Sequence, residues 1–319
     1  MESHSGRGES FASLDKPYSG YGLEAVLCCP ACRAGGLESL AEGLRCLGCG
    51  MLFPRIGGMP ILVPDAEHHC ASVERMQKEN PAWYAAEQDP EESSPWRHHL
   101  KKRRLYVTGV IRRHLERLGL ERAERLLDLG CGDGTNLRWL SAFGRDIHGS
   151  DYNPLRLARA ERRLPSAKFF LADILRYPVQ PDSYDIIFCN HVIEHVPDDL
   201  GVLQTIRRIL KPGGLAILGT PNEGAWWWQW AYRRAPETLR QTDHVHFYTA
   251  RIIEAKMLKS GLDVTEIKHL GWGPPDWALD GRIRRYKLVD DGFALFGRVF
   301  LPHQASSLYL IATKRKPDA

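Results

Sequence analysis

The chain has 319 residues, 43% of them hydrophobic and 26% charged, a balance that excludes a fibrous or wholly disordered protein and leaves room for more than one ordinary domain. Lys and Arg number 43 against 39 Asp and Glu, a net charge of +4; this is far from a dedicated nucleic-acid binder, so a small-molecule substrate is expected and a nucleic-acid partner is not. No apolar run reaches the ~18 residues of a membrane span, and the opening MESHSGRGES lacks a secretory stretch. The expectation is therefore a cytoplasmic chain with its eight cysteines mostly reduced.

In chain order, residues 1–22 are Gly, Ser and charge and read as a flexible tail. Residues 23–64 form a compact segment rich in Cys, Gly and Pro. Within it, Cys29-Pro-Ala-Cys32 and Cys46-Leu-Gly-Cys49 repeat a Cys-x-x-Cys knuckle with 13 residues between. Two knuckles put four thiolates at the corners of one tetrahedral zinc site, and the metal replaces a core too small to form alone. A redox site would need only one such pair. Residues 65–96, with Pro81, Pro90 and Pro95 among acidic residues, predict a linker carrying one short helix from Val73 to Glu79. A helix follows from Trp96 to Leu118 with Gly119 as its C-cap, and Lys101, Lys102, Arg103 and Arg104 read as a solvated basic face.

From Arg125 the pattern alternates. Strands are expected at Leu126–Leu129, Asp146–Ser150, Phe169–Leu171, Tyr184–Asn190 and Leu215–Thr220, with helices at Thr135–Ala142, Pro154–Arg163 and Asp198–Leu210. This alternation implies parallel strands with helical crossovers, an open doubly wound α/β sheet. Thr249–Lys259 reads as a further helix, and Asp263–His269 and Ser307–Thr313 as strands. Residues 97–319 would form this domain, with insertions at about 221–243 and 271–304, the latter poorly periodic.

The segment Leu-Leu-Asp-Leu-Gly-Cys-Gly-Asp-Gly-Thr places Asp128, Gly130, Cys131, Gly132 and Gly134 at a strand-to-helix turn. Glycines there let the backbone approach a ligand, in the crevice beyond the strands' carboxyl ends. The spacing is Gly-x-Gly-x-Gly, not that of dinucleotide folds, and a leading acid would repel a pyrophosphate but welcome a cationic amino-acid moiety. Asp151, followed by Tyr152, stands right after the second strand, where a carboxylate can hold ribose hydroxyls. Asp173 ends the third, placed to accept from an adenine amino group with Ile174 over the ring. Each Asp alone could be a helix cap; three at successive strand ends form a pattern.

Taken with Gly-Ser-Asp-Tyr-Asn-Pro, Leu-Ala-Asp-Ile, Ser-Tyr-Asp-Ile-Ile-Phe-Cys-Asn-His-Val-Ile-Glu-His-Val, Arg-Ile-Leu-Lys-Pro-Gly-Gly and Asp-His-Val-His-Phe-Tyr-Thr, residues 124–269 resemble the class I S-adenosylmethionine-dependent methyltransferases, in the branch that includes ubiquinone-pathway O-methyltransferases. The resemblance implies a Rossmann-like seven-stranded sheet whose last strand, Ser307–Thr313, is antiparallel. It implies that Asp128, Gly130 and Gly132 serve the methionine part of the cofactor, Asp151 the ribose, Asp173 the adenine and Asn190 the sulfonium end. Phe53-Pro-Arg-Ile-Gly-Gly-Met-Pro-Ile-Leu resembles the tail of small zinc-ribbon proteins that accompany or activate methyltransferases, which argues for docking or substrate presentation by residues 23–64.

His191, Glu194 and His195 follow the fourth strand, and Asp243, His244 and His246 form a second polar group before Phe247. In-line methyl transfer needs a nucleophile held near the sulfonium and often a base for its proton. The two groups could converge as base and orienter, with His195 the base, or as ligands of a divalent metal gripping vicinal oxygens. The bland alternative is a set of hydrogen-bonded packing residues. Some quinone-pathway relatives carry Glu and His after strand four; here His191 replaces the first acid of that pattern. Trp226, Trp227, Trp228 and Trp230 cannot all face one core, so at least one should line a cleft or meet a partner, as a lid over an apolar or aromatic acceptor; the alternative is a locally packed mini-core. The leading function is methyl transfer to a hydroxyl of a small molecule. Its alternatives are an RNA or protein methyltransferase that uses the ribbon for docking, and a non-catalytic cofactor-binding subunit.

Overall fold

The computed structural model describes residues 23–88, 91–236, 243–274 and 276–315; the tail expected over 1–22 lies outside them. The ribbon is an antiparallel meander of β1 (Leu37–Ser39), β2 (Gly43–Cys46), β3 (Leu52–Ile56) and β4 (Met59–Leu62). The main domain follows with β5 (Ala123–Leu129), β6 (Gly144–Asp151), β7 (Lys168–Ala172), β8 (Tyr184–Asn190), β9 (Leu210–Pro221), β10 (Leu262–Leu270) and β11 (Ser307–Lys314). Strands β7, β6, β5, β8 and β9 are parallel neighbours in that order, and β11 runs antiparallel between β9 and β10.

The sheet has eleven strands, not seven. The four ribbon strands join it because β4 pairs in parallel with β7, Ile61 beside Leu171 and Leu62 beside Ala172. Ile61 and Leu62 are fully buried, so the Pro-Ile-Leu-Val-Pro run belongs to the main sheet. A bridge between Leu27 and Val179 and a bond from the Cys28 N–H to the Pro178 carbonyl (2.9 Å) tie the ribbon down a second time. The central strands are apolar on both faces, as helices on both sides require: Leu127 and Leu129 enter one core layer and Leu126 the other.

The helices are α1 (Ala66–Glu79), α2 (Pro81–Tyr84), α3 (Arg97–Arg117), α4 (Leu137–Leu140), α5 (Pro154–Arg163), α6 (Asp199–Ile209), α7 (Trp226–Arg234), α8 (Ala250–Lys259), α9 (Trp277–Arg284) and α10 (Lys287–Phe300). Three differ from expectation. The helix expected from Val73 begins at Ala66, because the Asp65 carboxylate accepts from the His68 N–H (2.9 Å) and caps it. The one expected over Thr135–Ala142 is a single turn, α4, that tightens into a 3-10 turn at Ser141–Phe143. The poorly periodic insertion contains α9 and α10. Gly119, with φ +67, follows the Leu118 cap of α3.

The two insertions share a small core of their own: Ala225, Trp227 and Trp228 pack with Trp272 and Ala305, and with Tyr232, Phe293 and Leu301 at the edge. Gly297 makes room for this, since a Cβ there would stand 2.0 Å from Trp272 Cγ. A buried charge network anchors the unit on α3. Arg284 is bonded to Asp290 (2.8 Å) and Asp280 (3.2 Å), Trp96 Nε1 donates to Asp280 (2.6 Å), and Lys102 Nζ donates to Asp290 (2.6 Å).

Candidate active site

A cleft of about 1030 Å³ opens at the carboxyl ends of β5, β6, β7 and β8, where a doubly wound sheet places its ligands. Gly130, Cys131 and Gly132 line it from the turn after β5, Asp151 and Tyr152 from the end of β6, Asp173 and Ile174 from the end of β7, and Asn190 from β8. Gly130 has φ +76, and a Cβ on it would lie 2.2 Å from Val192 Cγ2, so only glycine fits that turn. The Asp151 carboxylate accepts from the Gly132 N–H (2.8 Å) and the Asn153 N–H (2.9 Å), which fixes the turn after β5 to the end of β6. Asp173 accepts from the Leu175 N–H (2.9 Å). Asn190 Oδ1 accepts from the Tyr309 hydroxyl (2.8 Å).

Asp128 does not line the cleft. It is buried at the end of β5, with Oδ2 unpartnered among the described residues. Burial, reinforced by the charge of Asp151, pushes its carboxyl up to about 8, with Arg103 pulling the other way. Burial likewise raises Asp151. Two carboxylates that resist ionising side by side form a cradle that a cation would relieve, and the ammonium and sulfonium of S-adenosylmethionine supply positive charge of that kind.

The polar group after β8 converges with the loop around Asp243. His191 takes φ +56, and its Nδ1 lies 3.0 Å from Glu194 Oε1. Glu194 is buried; Oε2 accepts from the Thr220 hydroxyl (3.1 Å), and its backbone carbonyl accepts from the Val245 (2.9 Å) and His246 (3.1 Å) N–H groups. Burial opposes the charge of Glu194, but the bond and charge of His191 hold its carboxyl below the ordinary value. His195 Nδ1 lies 3.2 Å from the Asp243 carbonyl, and its ring meets His244 edge-on at 4.9 Å. Burial pushes its pKa down. His191, His195 and His244 all line the cleft. His246 does not: its Nε2 is 3.0 Å from the Pro197 carbonyl, and its Nδ1 faces Asp199 at 3.7 Å. The 3-10 turn Ile193–His195 directs Glu194 inward, where it is hydrogen-bonded to His191.

Two donor clusters could hold a metal. The Sγ atoms of Cys29, Cys32, Cys46 and Cys49 all lie within 4.8 Å of one another, with Cys29 to Cys49 at 3.7 Å and Cys32 to Cys46 at 3.5 Å. Tetrahedral zinc with Zn–S of about 2.3 Å sets sulfurs about 3.8 Å apart. Backbone N–H groups of Cys32, Gly48 and Cys49 donate to the Cys29 and Cys46 thiols, and Cys46 is lowered to about 7 although burial opposes it. The four residues fit zinc. Glu194, His195 and His244 form the second cluster, again within 4.8 Å, although both Glu194 oxygens already hold protein partners.

Residues the sequence did not single out complete the walls. Met76, Tyr84 and Gln88 line the cleft from the stretch expected as a linker. His69 Nε2 lies 2.8 Å from the Tyr152 carbonyl, Asn153 Nδ2 donates to the Tyr84 carbonyl (2.8 Å), and the Gln88 N–H donates to Asp133 (2.7 Å). The Tyr84 hydroxyl donates to the Asp243 carboxylate. Arg103, expected on a solvated face, also lines the cleft and donates to Asn136 (3.1 Å). Trp228 and Tyr232 face the cleft as well, whereas Trp226 and Trp230 are 58% and 46% exposed.

Five parallel strands, an antiparallel β11 and a glycine turn facing acids at successive strand ends define a class I S-adenosylmethionine-dependent methyltransferase. Residues 97–267, more than half of the chain, match the methyltransferase domain family, and the chain belongs to it. A ubiquinone biosynthesis O-methyltransferase of Psychrobacter cryohalolentis is 30% identical over 171 residues, covering 50% of this chain and 65% of the relative. A trans-aconitate 2-methyltransferase of Variovorax paradoxus is 34% identical over 110 residues, 34% of this chain and 42% of the relative. The chain thus spans less than two thirds of the length of these relatives. Among solved structures, phosphoethanolamine N-methyltransferase 2 of Haemonchus contortus in complex with S-adenosyl-L-methionine aligns with a TM-score of 0.47 at 22% identity, over 65% of this chain and 53% of that one.

Proposed function

We propose that the protein transfers a methyl group from S-adenosylmethionine to a hydroxyl oxygen of a small acceptor, with histidine general-base assistance. The observation that carries this reading is that His191, His195 and His244 line the same cleft as the glycine turn and the acidic strand ends. The cofactor, when bound, supplies an electrophilic methyl carbon on a sulfonium. Asp128, Gly130, Cys131 and Gly132 serve its methionine part, Asp151 and Tyr152 its ribose, Asp173 and Ile174 its adenine and Asn190 the sulfonium end. The Asp243 carbonyl accepts from His195 Nδ1, so the neutral ring carries its proton there and Nε2 is its basic nitrogen, and burial favours the neutral ring. Glu194 orients His191, and Trp228 and Tyr232 offer planar walls for an apolar or aromatic part of the acceptor. The ribbon holds one structural zinc on Cys29, Cys32, Cys46 and Cys49.

The test is calorimetric titration with S-adenosylmethionine, followed by methyl-transfer assays on extracts with and without nuclease treatment and size filtration. Saturable binding that weakens in Asp151→Ala, with activity in the small-molecule fraction, supports the reading. Activity only in the retained, nuclease-sensitive or protein fraction would replace it with a macromolecular substrate. A second reading, metal-assisted transfer, is favoured by the approach of Glu194, His195 and His244. It takes over if chelation abolishes turnover while the ribbon zinc stays in place.

A further inference from the structure

Helix α10 has three faces. Asp290 and Gly297 are buried, Lys287 and Arg298 mark a charged flank, and the remaining side is apolar yet faces out. At 100° per residue, Leu288, Leu295, Phe296, Val299 and Phe300 fall within one sector of about 140°. They are 84%, 57%, 54%, 59% and 67% exposed. A soluble helix normally presents that side to its core; here the core side is separately filled by Phe293 and Leu301 on the Trp272 cluster.

The same unit carries exposed tryptophans and a one-sided charge. Trp226 and Trp230 stand exposed on α7, whose inner face shares the small core with α10, and the Arg234 guanidinium lies 4.1 Å over the Trp230 ring. Arg233, Arg234, Arg282, Arg285 and Arg298 are exposed around these helices, besides Lys287, which pairs with Asp291. Among the described residues, the nearby acids do not balance these cations. Asp280 and Asp290 are buried against Arg284, Asp291 is held by Lys102 and Lys287, and Asp276 caps α9.

We infer that this α7–α10 unit docks the protein in the plane of an anionic lipid bilayer, with the α10 stripe entering the acyl boundary and the cations meeting the headgroups. Apolar stripe, interfacial tryptophan and flanking arginine are the features such a helix needs. Among the described residues no helix is long and apolar enough to cross a membrane, so the helix lies on the bilayer. Trp228 and Tyr232, on the inner side of α7, line the cleft, so docking brings the cleft mouth to the lipid surface. This inference does not depend on the methyl-transfer reading.

The test is flotation of the full chain with vesicles of phosphatidylcholine containing phosphatidylglycerol, and with phosphatidylcholine alone, at low and high salt. The wild type should float with the anionic vesicles, and binding should weaken at least about tenfold on neutral vesicles or at high salt. Phe296→Ser/Phe300→Ser, and independently Leu288→Ser/Val299→Ser, should each lose at least about tenfold in partition while keeping the wild-type melting temperature, because all four sites are solvent-facing. No flotation by the wild type overturns the proposal. So does a wild-type dimer that becomes monomeric in these variants without any lipid binding, which would assign the face to a second copy of the chain.

Discussion

Asp128→Asn should stabilise the cofactor-free protein in a pH-dependent way while weakening its hold on S-adenosylmethionine. The Asp128 carboxyl is raised from 3.8 to about 8 by burial, then by Asp151, so the folded state binds the proton more tightly than the unfolded one. The sign follows: this group costs nothing below about pH 3.8, and its cost to folding grows as pH rises to about 8, where it levels off. At 1.36 kcal/mol for each pH unit in that window, the cost increases by about 4 kcal/mol between pH 5 and pH 8. For a domain of this length the unfolding entropy converts that into roughly 5 °C. The asparagine keeps the shape and removes the ionisable proton, so the gap in Tm between variant and wild type should widen by about that amount from pH 5 to pH 8. Differential scanning calorimetry at both pH values, with zinc present throughout, reads it directly. Titration calorimetry should show the variant at least about tenfold weaker for S-adenosylmethionine, because one of the two carboxylates no longer offers a charge for the ligand's cation to offset. A Tm gap that is the same at pH 5 and pH 8 would refute the reasoning.

His195→Ala should lose about 100-fold or more in turnover with cofactor affinity retained; near-normal turnover would show that proximity alone suffices. His191→Ala tests the Glu194 pair separately, and should lower turnover and also the melting temperature, since it leaves a buried carboxylate without its bond. Metal analysis of protein purified without chelator should find close to one zinc per chain, and Cys49→Ser should strip hydrogen-exchange protection from the ribbon strands before the central strands. Gly297→Ala should destabilise by about 2–3 kcal/mol, because its methyl would collide with the Trp272 ring; an unchanged melting temperature would mean that Trp272 is not seated there.

The parallel sheet and the acidic strand ends were legible because each rests on local pattern: apolar runs set the strands, and glycines with an acid at fixed spacing set the turns. The cleft's outer walls were not. Asp65 is a visible N-cap, yet the prolines at 81, 90 and 95 suggested a linker, and nothing local says that Gln77 and Tyr84 reach Asn153. Helix α10 resisted reading for a related reason. Its apolar residues follow the helical period, but Gly292 and Gly297 interrupt it, and nothing local says that one side meets the Trp272 cluster while the other stays open. Arg103 shows the limit most plainly. One member of a basic run turns into the cleft, while Lys102 reaches the buried Asp290 and Lys101 stays exposed, and that choice is made by where α3 crosses the sheet.

The pairing of β4 with β7 would give the proposed zinc a part in solubility. Without the ribbon, β7 would be the free margin of a parallel sheet, and such a margin recruits strands from other molecules. The ribbon covers it and moves the boundary out to β1, only three residues long. A chain that reached the folded state without metal, or lost it under oxidation of the knuckle thiols, would uncover Phe170 and Leu171 along that margin. Its first failure would then be self-association through backbone pairing, before any change at the cleft. Zinc supply during synthesis would accordingly set the yield of soluble protein.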